Sequence, residues 1–235
     1  KEAAKHKAVV FVGHNLMFHP VIKTIKQFID ANDLGNLLNI QCQVGQWLPD
    51  WHPYEDFNQA YYARKDLGGG VALSLIHEIH MAVDLAGDPS EVAGMESKSE
   101  LLPLNVDVIS DVMVRHLSGC VSQIHLDYIQ RPSHRSGLLS FEHGWISYDY
   151  NQHQVIAQKK DDGTPVIIWS DINYDPNEMY IDEIKEFIEY VEEHRFKNSF
   201  DIESAIESLK IVGALFESHN SKRIIQIPYN KRFEF

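Results

Sequence analysis

The chain has 235 residues, 44% hydrophobic and 23% charged, a composition typical of globular proteins with one large domain or one domain and part of another. Its formal charge of −13 would repel a phosphate backbone, so nucleic acid is not expected as a partner. No run approaches the roughly 20 apolar residues of a membrane-spanning helix, and residues 1–7 lack the apolar core of a signal peptide. We therefore expect a soluble, cytoplasmic protein with no membrane partner.

Helical and extended patterns alternate in the first 86 residues. Apolar residues after Pro20 recur at the 3.6-residue period of an amphipathic helix, which ends near Gly35. A loop rich in Trp, Pro and Tyr at 47–62 leads to three glycines at 68–70 and a helix that ends near Ala86. The other elements predicted here are the last turns of a helix at 1–7, a short strand at 8–13 and an extended segment at 36–48.

The middle of the chain predicts a run of strands separated by short turns. They are predicted at 91–100, 106–117, 120–130, 137–142, 145–150 and 153–158. A block of consecutive strands flanked by helices indicates an α+β fold with a large, mostly antiparallel open sheet and helices on one face. The uncovered face of such a sheet favours a homo-oligomer, at least a dimer.

Two amphipathic helices are predicted to close the chain, at 177–194 and 202–218. The stripe expected to be buried on the first consists of Tyr180, Ile181, Ile184, Phe187, Ile188 and Val191. The stripe on the second consists of Ile206, Leu209, Val212 and Leu215.

The cysteines and histidines do not indicate a metal or redox site. Cys42 and Cys120 lie in apolar, strand-like stretches, so we expect buried, reduced thiols. His77 and His80 could share an ion one helical turn apart, but the zinc-protease pattern H-E-x-x-H is one residue longer than H-E-I-H. No third ligand is evident, and we expect no metal.

Three stretches, which together span most of the chain, carry recognisable motifs. Residues 10–20 read VFVGHNLMFHP, residues 47–57 read WLPDWHPYEDF and are followed by YARKDLGGGV and HEI, and residues 125–128 read HLDY. Together these motifs resemble one family, the Gfo/Idh/MocA oxidoreductases. The first is similar to the segment where members leave the dinucleotide-binding domain, and the second resembles a branch linked to surface-sugar or nonulosonate pathways.

The resemblance implies an enzyme that moves a hydride between a sugar or nucleotide sugar and NAD or NADP. It implies that residues 1–13 are the end of a Rossmann domain and that residues 14–235 form the α+β domain for substrate binding and oligomerisation, as a dimer or tetramer. The cofactor would be bound mainly by an N-terminal domain, whose glycine-rich loop and E-K-P motif the sequence does not contain. The alternative is a non-catalytic dimerisation or sugar-binding module derived from such an enzyme.

His77 is the candidate catalytic residue. The family resemblance and an imidazole pKa near about 6.5 make it suitable to accept the hydroxyl proton as hydride leaves carbon. On a continuous helix, Ser74, His77, His80 and Asp84 share one side, which could line a cleft or simply face solvent.

Lys65 and Arg131 are the candidate substrate contacts, since basic groups near a cleft would suit a phosphate or carboxylate on a sugar. Arg64, Arg135 and Tyr54 are weaker candidates, and for all five residues the alternative is an exposed loop position without a ligand. The chain departs from the family pattern at four positions, where a charge is replaced or moved. These are Met17 and Asn58, where Arg is usual, and Ser74 and His80, where an acidic residue is usual. Such changes leave the substrate, and the activity itself, open.

Overall fold

The computed structural model describes residues 5–6, 8–193 and 202–228. In these ranges the strands are β1 (Leu37–Gly45), β2 (Pro89–Ser97), β3 (Ile109–His116), β4 (Val121–Asp127), β5 (His134–Phe141), β6 (Gly144–Asp149), β7 (Gln154–Lys159), β8 (Val166–Ser170) and β9 (Ile225–Gln226). They form one sheet in the order β8-β7-β6-β5-β1-β4-β3-β2-β9. Every pair is antiparallel except β1 with β4, which is parallel.

The helices of the described residues are α1 (Pro20–Asp30), α2 (Val71–Ser74), α3 (His77–Ala86), α4 (Asn177–Glu192) and α5 (Ile202–Ser221). The N-terminus of α1 begins with Pro20, and His19 caps it by accepting a bond from the amide of Val21 at Nδ1, 3.2 Å away. None of the helices combines the length and apolarity needed to cross a bilayer within the described ranges.

The predicted α+β class and the large, mostly antiparallel sheet are confirmed. The six strands of the central block and the extended segment at 36–48 lie where the alternation places them, with ends that differ by a few residues. The strand predicted at 8–13 is wrong, because these residues form no strand within the described part of the chain, and Phe11 packs on the rings of Phe18 and Phe187. The helical end predicted at 1–7 falls mostly outside the described residues.

The sheet has one covered and one open face, and alternation along each strand defines them. On β1, Ile40, Cys42 and Val44 are buried under the helices, whereas Gln41 and Gln43 are exposed. Burying each such aliphatic side chain stabilises the fold by about 1.5–3 kcal/mol. We call the side that carries Gln41 and Gln43 the open face. It also exposes Met113 and holds a shallow cavity of about 1170 Å³.

The buried stripe predicted for α4 is wrong, because all six of its residues are between 37% and 57% exposed. The helix packs on the Asn15–Phe18 turn through other residues, and Asn15 Nδ2 lies 3.9 Å from the sulfur of Met179. On α5, Val212 and Leu215 are buried as predicted, but Ile206 and Leu209 are exposed. The amphipathic pattern thus marks an apolar ridge on α4 that no described residue covers fully.

The single helix predicted from the glycines to Ala86 is two helices. Leu75, with φ −104° and ψ 32°, ends α2, and α3 begins at His77. Gly70 has a φ of 125°, and a Cβ there would lie 2.0 Å from Asp107. Asp107 needs this approach because its Oδ2 accepts the Ala72 amide of α2 at 2.8 Å. The lack of a side chain at Gly70 therefore allows the close packing of Asp107 against the start of α2.

Both cysteines are free and buried, as the sequence indicates.

Candidate active site

His77 is the first residue of α3 and is half-buried. The break at Leu75 separates it from Ser74, so the stripe predicted on one continuous helix does not form. His80 lies one turn further along and is only 2% exposed, which contradicts its expected place on a cleft-facing or solvated side.

Three imidazoles, which we call the histidine cluster, meet at this point: His14, His77 and His80. His14 stacks on His80 with ring centres 3.5 Å apart and planes 8° apart. It meets His77 edge-on, with centres 5.9 Å apart. The Gly13–Phe18 segment of the first motif thus brings its histidine against the helix that carries the second.

His80 is held from α5 through a hydrogen bond. The hydroxyl of Ser208 donates to the carbonyl of Ser204 at 3.0 Å, so it accepts from Nδ1 of His80 at 3.2 Å. This direction places the His80 proton on Nδ1. The stack of His14 on His80 is therefore anchored to the C-terminal helix.

Burial keeps the histidine cluster uncharged. It lowers the pKa of His77 to about 3, an effect to which the charge of Arg135 adds. It also lowers the pKa of His80 to about 3 and that of His14 to about 4. At neutral pH all three rings are hydrogen-bond acceptors at one nitrogen, and the titration near neutrality expected of His77 does not occur in this environment.

Several ring nitrogens of the cluster lack a hydrogen-bond partner among the described residues. They are Nδ1 and Nε2 of His14 and Nδ1 of His77, all of them buried. A buried polar atom without a partner costs about 1–3 kcal/mol, so such atoms are rare away from sites that bind something. Their concentration here distinguishes the cluster from a packed core.

A buried ion pair lies directly beside the cluster. Nε of Arg135, at the start of β5, is 2.7 Å from Oε1 of Glu78, the residue after His77. Burial raises the pKa of Glu78, and the Arg135 charge opposes that rise. The guanidinium also lies 5.6 Å from the ring of Tyr150. The pair ties α3 to the sheet and fixes the backbone that carries His77.

The other predicted site residues are not brought to His77. Lys65 is exposed in the Lys65–Leu67 turn, and Arg131 is exposed in the loop before β5. No hydrogen bond, ion pair or ring contact among the described residues joins either of them to the histidine cluster. Arg64 pairs with Asp66 two residues away. In residues 5–6, 8–193 and 202–228, no group of three or more His, Cys, Asp or Glu could hold a metal ion.

Sequence reasoning missed His14, and it ranked Arg135 below Lys65 and Arg131. The signal for His14 was available, because it lies inside the first family-like motif. Nothing in the sequence indicated its stacking on His80, since the two residues are 66 positions apart. The Glu78–Arg135 pair had no signal beyond an acidic residue on a helix expected to be partly buried.

Residues 22–147 match the family model described as GFO/IDH/MocA C-terminal domain. A comparison with curated protein sequences finds no match.

Comparison with solved structures identifies relatives of the same fold. One is levoglucosan dehydrogenase in complex with NADH and levoglucosan, 19% identical with a TM-score of 0.84 over 97% of this chain and 69% of that protein. Another is an aldose-aldose oxidoreductase from Caulobacter crescentus complexed with glycerol, 18% identical with a TM-score of 0.79 over 95% of this chain and 65% of the other. An NAD binding oxidoreductase from Klebsiella pneumoniae is 15% identical, with a TM-score of 0.80 over 97% and 69%.

Proposed function

The chain belongs to the GFO/IDH/MocA C-terminal domain family, and from that membership we propose that it is the substrate domain of an NAD(P)-dependent oxidoreductase acting on a sugar or nucleotide sugar. The observation that carries the proposal is the histidine cluster, whose buried ring nitrogens lack partners and lie at the start of α3. Relatives of this fold are complexed with NADH and levoglucosan, or with NADH and L-sorbose, which supports a sugar substrate and a nicotinamide cofactor.

In the proposed reaction a sugar carbinol becomes a carbonyl. The bound nicotinamide supplies the hydride acceptor, and the hydroxyl proton passes to a ring nitrogen of His77. The work of this chain is to hold the sugar and to keep His77 neutral, so that one nitrogen can accept. The Glu78–Arg135 pair holds His77 in place. Lys65 and Arg131 remain proposed substrate contacts, on loops outside the histidine cluster.

The apolar ridge on α4 is a suitable contact surface for the proposed first domain. Residues 1–235 contain no Gly-x-Gly-x-x-Gly sequence, so the cofactor pyrophosphate would be bound by a Rossmann domain that ends at residue 13. The apolar ridge on α4 is the face we assign to that domain, because large exposed apolar surfaces are usually covered by a partner. The open face of the sheet is assigned to a second copy of the chain, in a dimer or tetramer. The free thiols fit a cytoplasmic location.

One observation favours the alternative of a non-catalytic sugar-binding or dimerisation module. A pKa of about 3 makes His77 a weak base, and the chain has Ser74 where an acidic residue is usual in the family pattern. A catalytic role therefore requires that the substrate, the cofactor or the first domain changes the surroundings of His77.

The test is an assay of the full-length protein with NAD and with NADP against neutral sugars, sugar acids and nucleotide sugars. Reduction of either cofactor with a sugar at a rate well above the no-sugar control supports the enzyme. Sugar binding without turnover across the panel supports the module instead.

A further inference from the structure

A second cavity lies apart from the histidine cluster, at the end of the sheet where β1 and β4 finish and β5 begins. It has a volume of about 470 Å³. Its lining includes Gln46, Trp47, Asp50, Trp51, Gln130 and Arg131. We call it the Trp47 pocket. Pockets of about 300–1000 Å³ are of the size that holds small ligands.

The Arg131 side chain is held in place by stacking, and unlike three other arginines of the chain it is not paired with a carboxylate in the described ranges. Its guanidinium carbon lies 3.4 Å from the centre of the Trp47 ring. Stacking fixes the plane of the group and leaves the N–H donors at its edge available. Arg64, Arg115 and Arg135 each pair with a carboxylate, whereas no carboxylate pairs with Arg131 among the described residues.

The rest of the pocket suits a sugar. Trp51 presents an aromatic wall that is itself held by Tyr62 and Tyr128, with ring centres 5.2 and 5.4 Å away. The amides of Gln46 and Gln130 can donate and accept. Asp50 forms no ion pair with Arg131 and can accept bonds from hydroxyl groups. A fixed cation at Arg131, together with hydrogen-bonding groups and an aromatic wall, suits a polyol that carries a negative charge, whose hydroxyl groups rather than its anionic group would meet Asp50.

The pocket and the histidine cluster share one end of the sheet. Arg131 and Arg135 are four residues apart at the entry to β5, and Arg135 pairs with Glu78 beside His77.

We propose that the Trp47 pocket binds an anionic group, carboxylate or phosphate, carried by the sugar, with Arg131 as its direct contact. This inference rests on the proposed function for the identity of the ligand as a sugar.

Tryptophan fluorescence of the whole chain, titrated without cofactor, tests the pocket. The probes are glucuronate, glucose 6-phosphate, glucose and inorganic phosphate. We expect at least one of the two anionic sugars to bind roughly tenfold or more tightly than glucose, because hydrogen bonds to charged groups are strong. Tighter binding of glucuronate identifies the group as a carboxylate, and tighter binding of glucose 6-phosphate identifies it as a phosphate. Equal affinity for glucose and both anionic sugars overturns the proposal, and so does phosphate alone binding as tightly as the best sugar.

Variants locate the effect. Arg131→Gln should abolish the preference for the anionic sugar while leaving glucose affinity within about twofold, and Arg131→Lys should retain part of it because the charge remains. Arg115→Gln, an exposed arginine paired with Glu91, is the matched control and should keep the full preference. A preference that survives Arg131→Gln contradicts the proposal. The binding titration contains no cofactor, so its result does not depend on whether the full-length protein shows turnover. In the same way, the absence of a charge preference in the pocket would not change the result of the activity assay.

Discussion

Removing Arg135 should destabilise the fold strongly, because Glu78 would remain buried without a counter-charge. The two groups are 2.7 Å apart, with side chains only 17% and 3% exposed. Breaking such a pair from one side costs about 3–5 kcal/mol. For a chain of this size, at about 2–4 °C per kcal/mol, the Arg135→Met variant should melt about 6 to 20 °C below the wild type.

The loss should also depend on pH. Burial already raises the pKa of Glu78, and without Arg135 only a backbone hydrogen bond opposes that rise. A carboxyl whose folded pKa lies above its unfolded value contributes stability that is complete at low pH and is lost as pH rises through the folded pKa. The free energy of unfolding, measured in urea, should therefore fall more at pH 8 than at pH 5 when Arg135 is replaced.

Two comparisons make this prediction specific. Arg115→Met breaks an exposed pair, 3.0 Å from Glu91, and should cost less than about 1 kcal/mol. The double change Glu78→Leu with Arg135→Met removes both charges and should recover most of the loss. A loss below about 1 kcal/mol at pH 8 for Arg135→Met, or an equal loss at both pH values, would refute the reasoning.

Three further predictions follow from the fold and the cluster. Because the pKa values of His14, His77 and His80 are lowered in the folded state, these histidines bind protons near pH 6 only after unfolding. The free energy of unfolding should therefore be highest above pH 6.5 and fall below that pH by up to about 1.4 kcal/mol per pH unit for each histidine. Urea unfolding at pH 7.5 and 5.5 should show a smaller acid loss for His80→Asn than for the wild type or for the exposed His143→Asn; identical losses in all three would contradict this. Sedimentation equilibrium should give a dimer or tetramer for the wild type and a monomer for Met113→Lys, which places a charge on the open face, whereas a wild-type monomer at high concentration would exclude that interface. Calorimetry should detect no NAD(H) binding to residues 1–235, and micromolar binding would show that the pyrophosphate site lies within them.

The centre of the sheet was predictable because β1, β3 and β4 each carry a clear two-residue alternation. In β3, for example, Val112 and Val114 are buried and Asp111 and Met113 are exposed. Short edge strands gave no such signal, since β8 is mostly exposed and β9 has two residues. The position of β1 between β5 and β4 depends on contacts between distant parts of the chain, which periodicity does not encode.

The helices show where amphipathic patterns stop being informative. A stripe of apolar residues on α4 indicates a face that some surface covers, but not which surface. The ridge is exposed in the structure, so we assign it to contact with a partner domain and not to the core of this chain. His80 shows the converse error, because a polar residue on a helix side was expected near solvent and is instead buried under His14.

His77 itself could be selected from the sequence only through its resemblance to a family motif. Burial lowers its pKa and the charge of Arg135 adds to that effect, in an environment assembled from separate segments of the chain. The sequence therefore proposes the residue but not its environment, and the environment decides whether it can act as a base.

The central claim is that His77 accepts the hydroxyl proton in the full-length enzyme, and replacing it by Asn tests this most directly. Asn keeps the approximate size and some hydrogen bonding but cannot accept a proton. Turnover of His77→Asn should fall by roughly 10² to 10⁴-fold, with a melting temperature within a few degrees of the wild type. His80→Asn is the comparison for stability, since His80 is buried in the stack with His14. Compared with His77→Asn, it should lower the melting temperature more and turnover less. A His77→Asn enzyme with turnover within a few-fold of the wild type would show that His77 is not the proton acceptor.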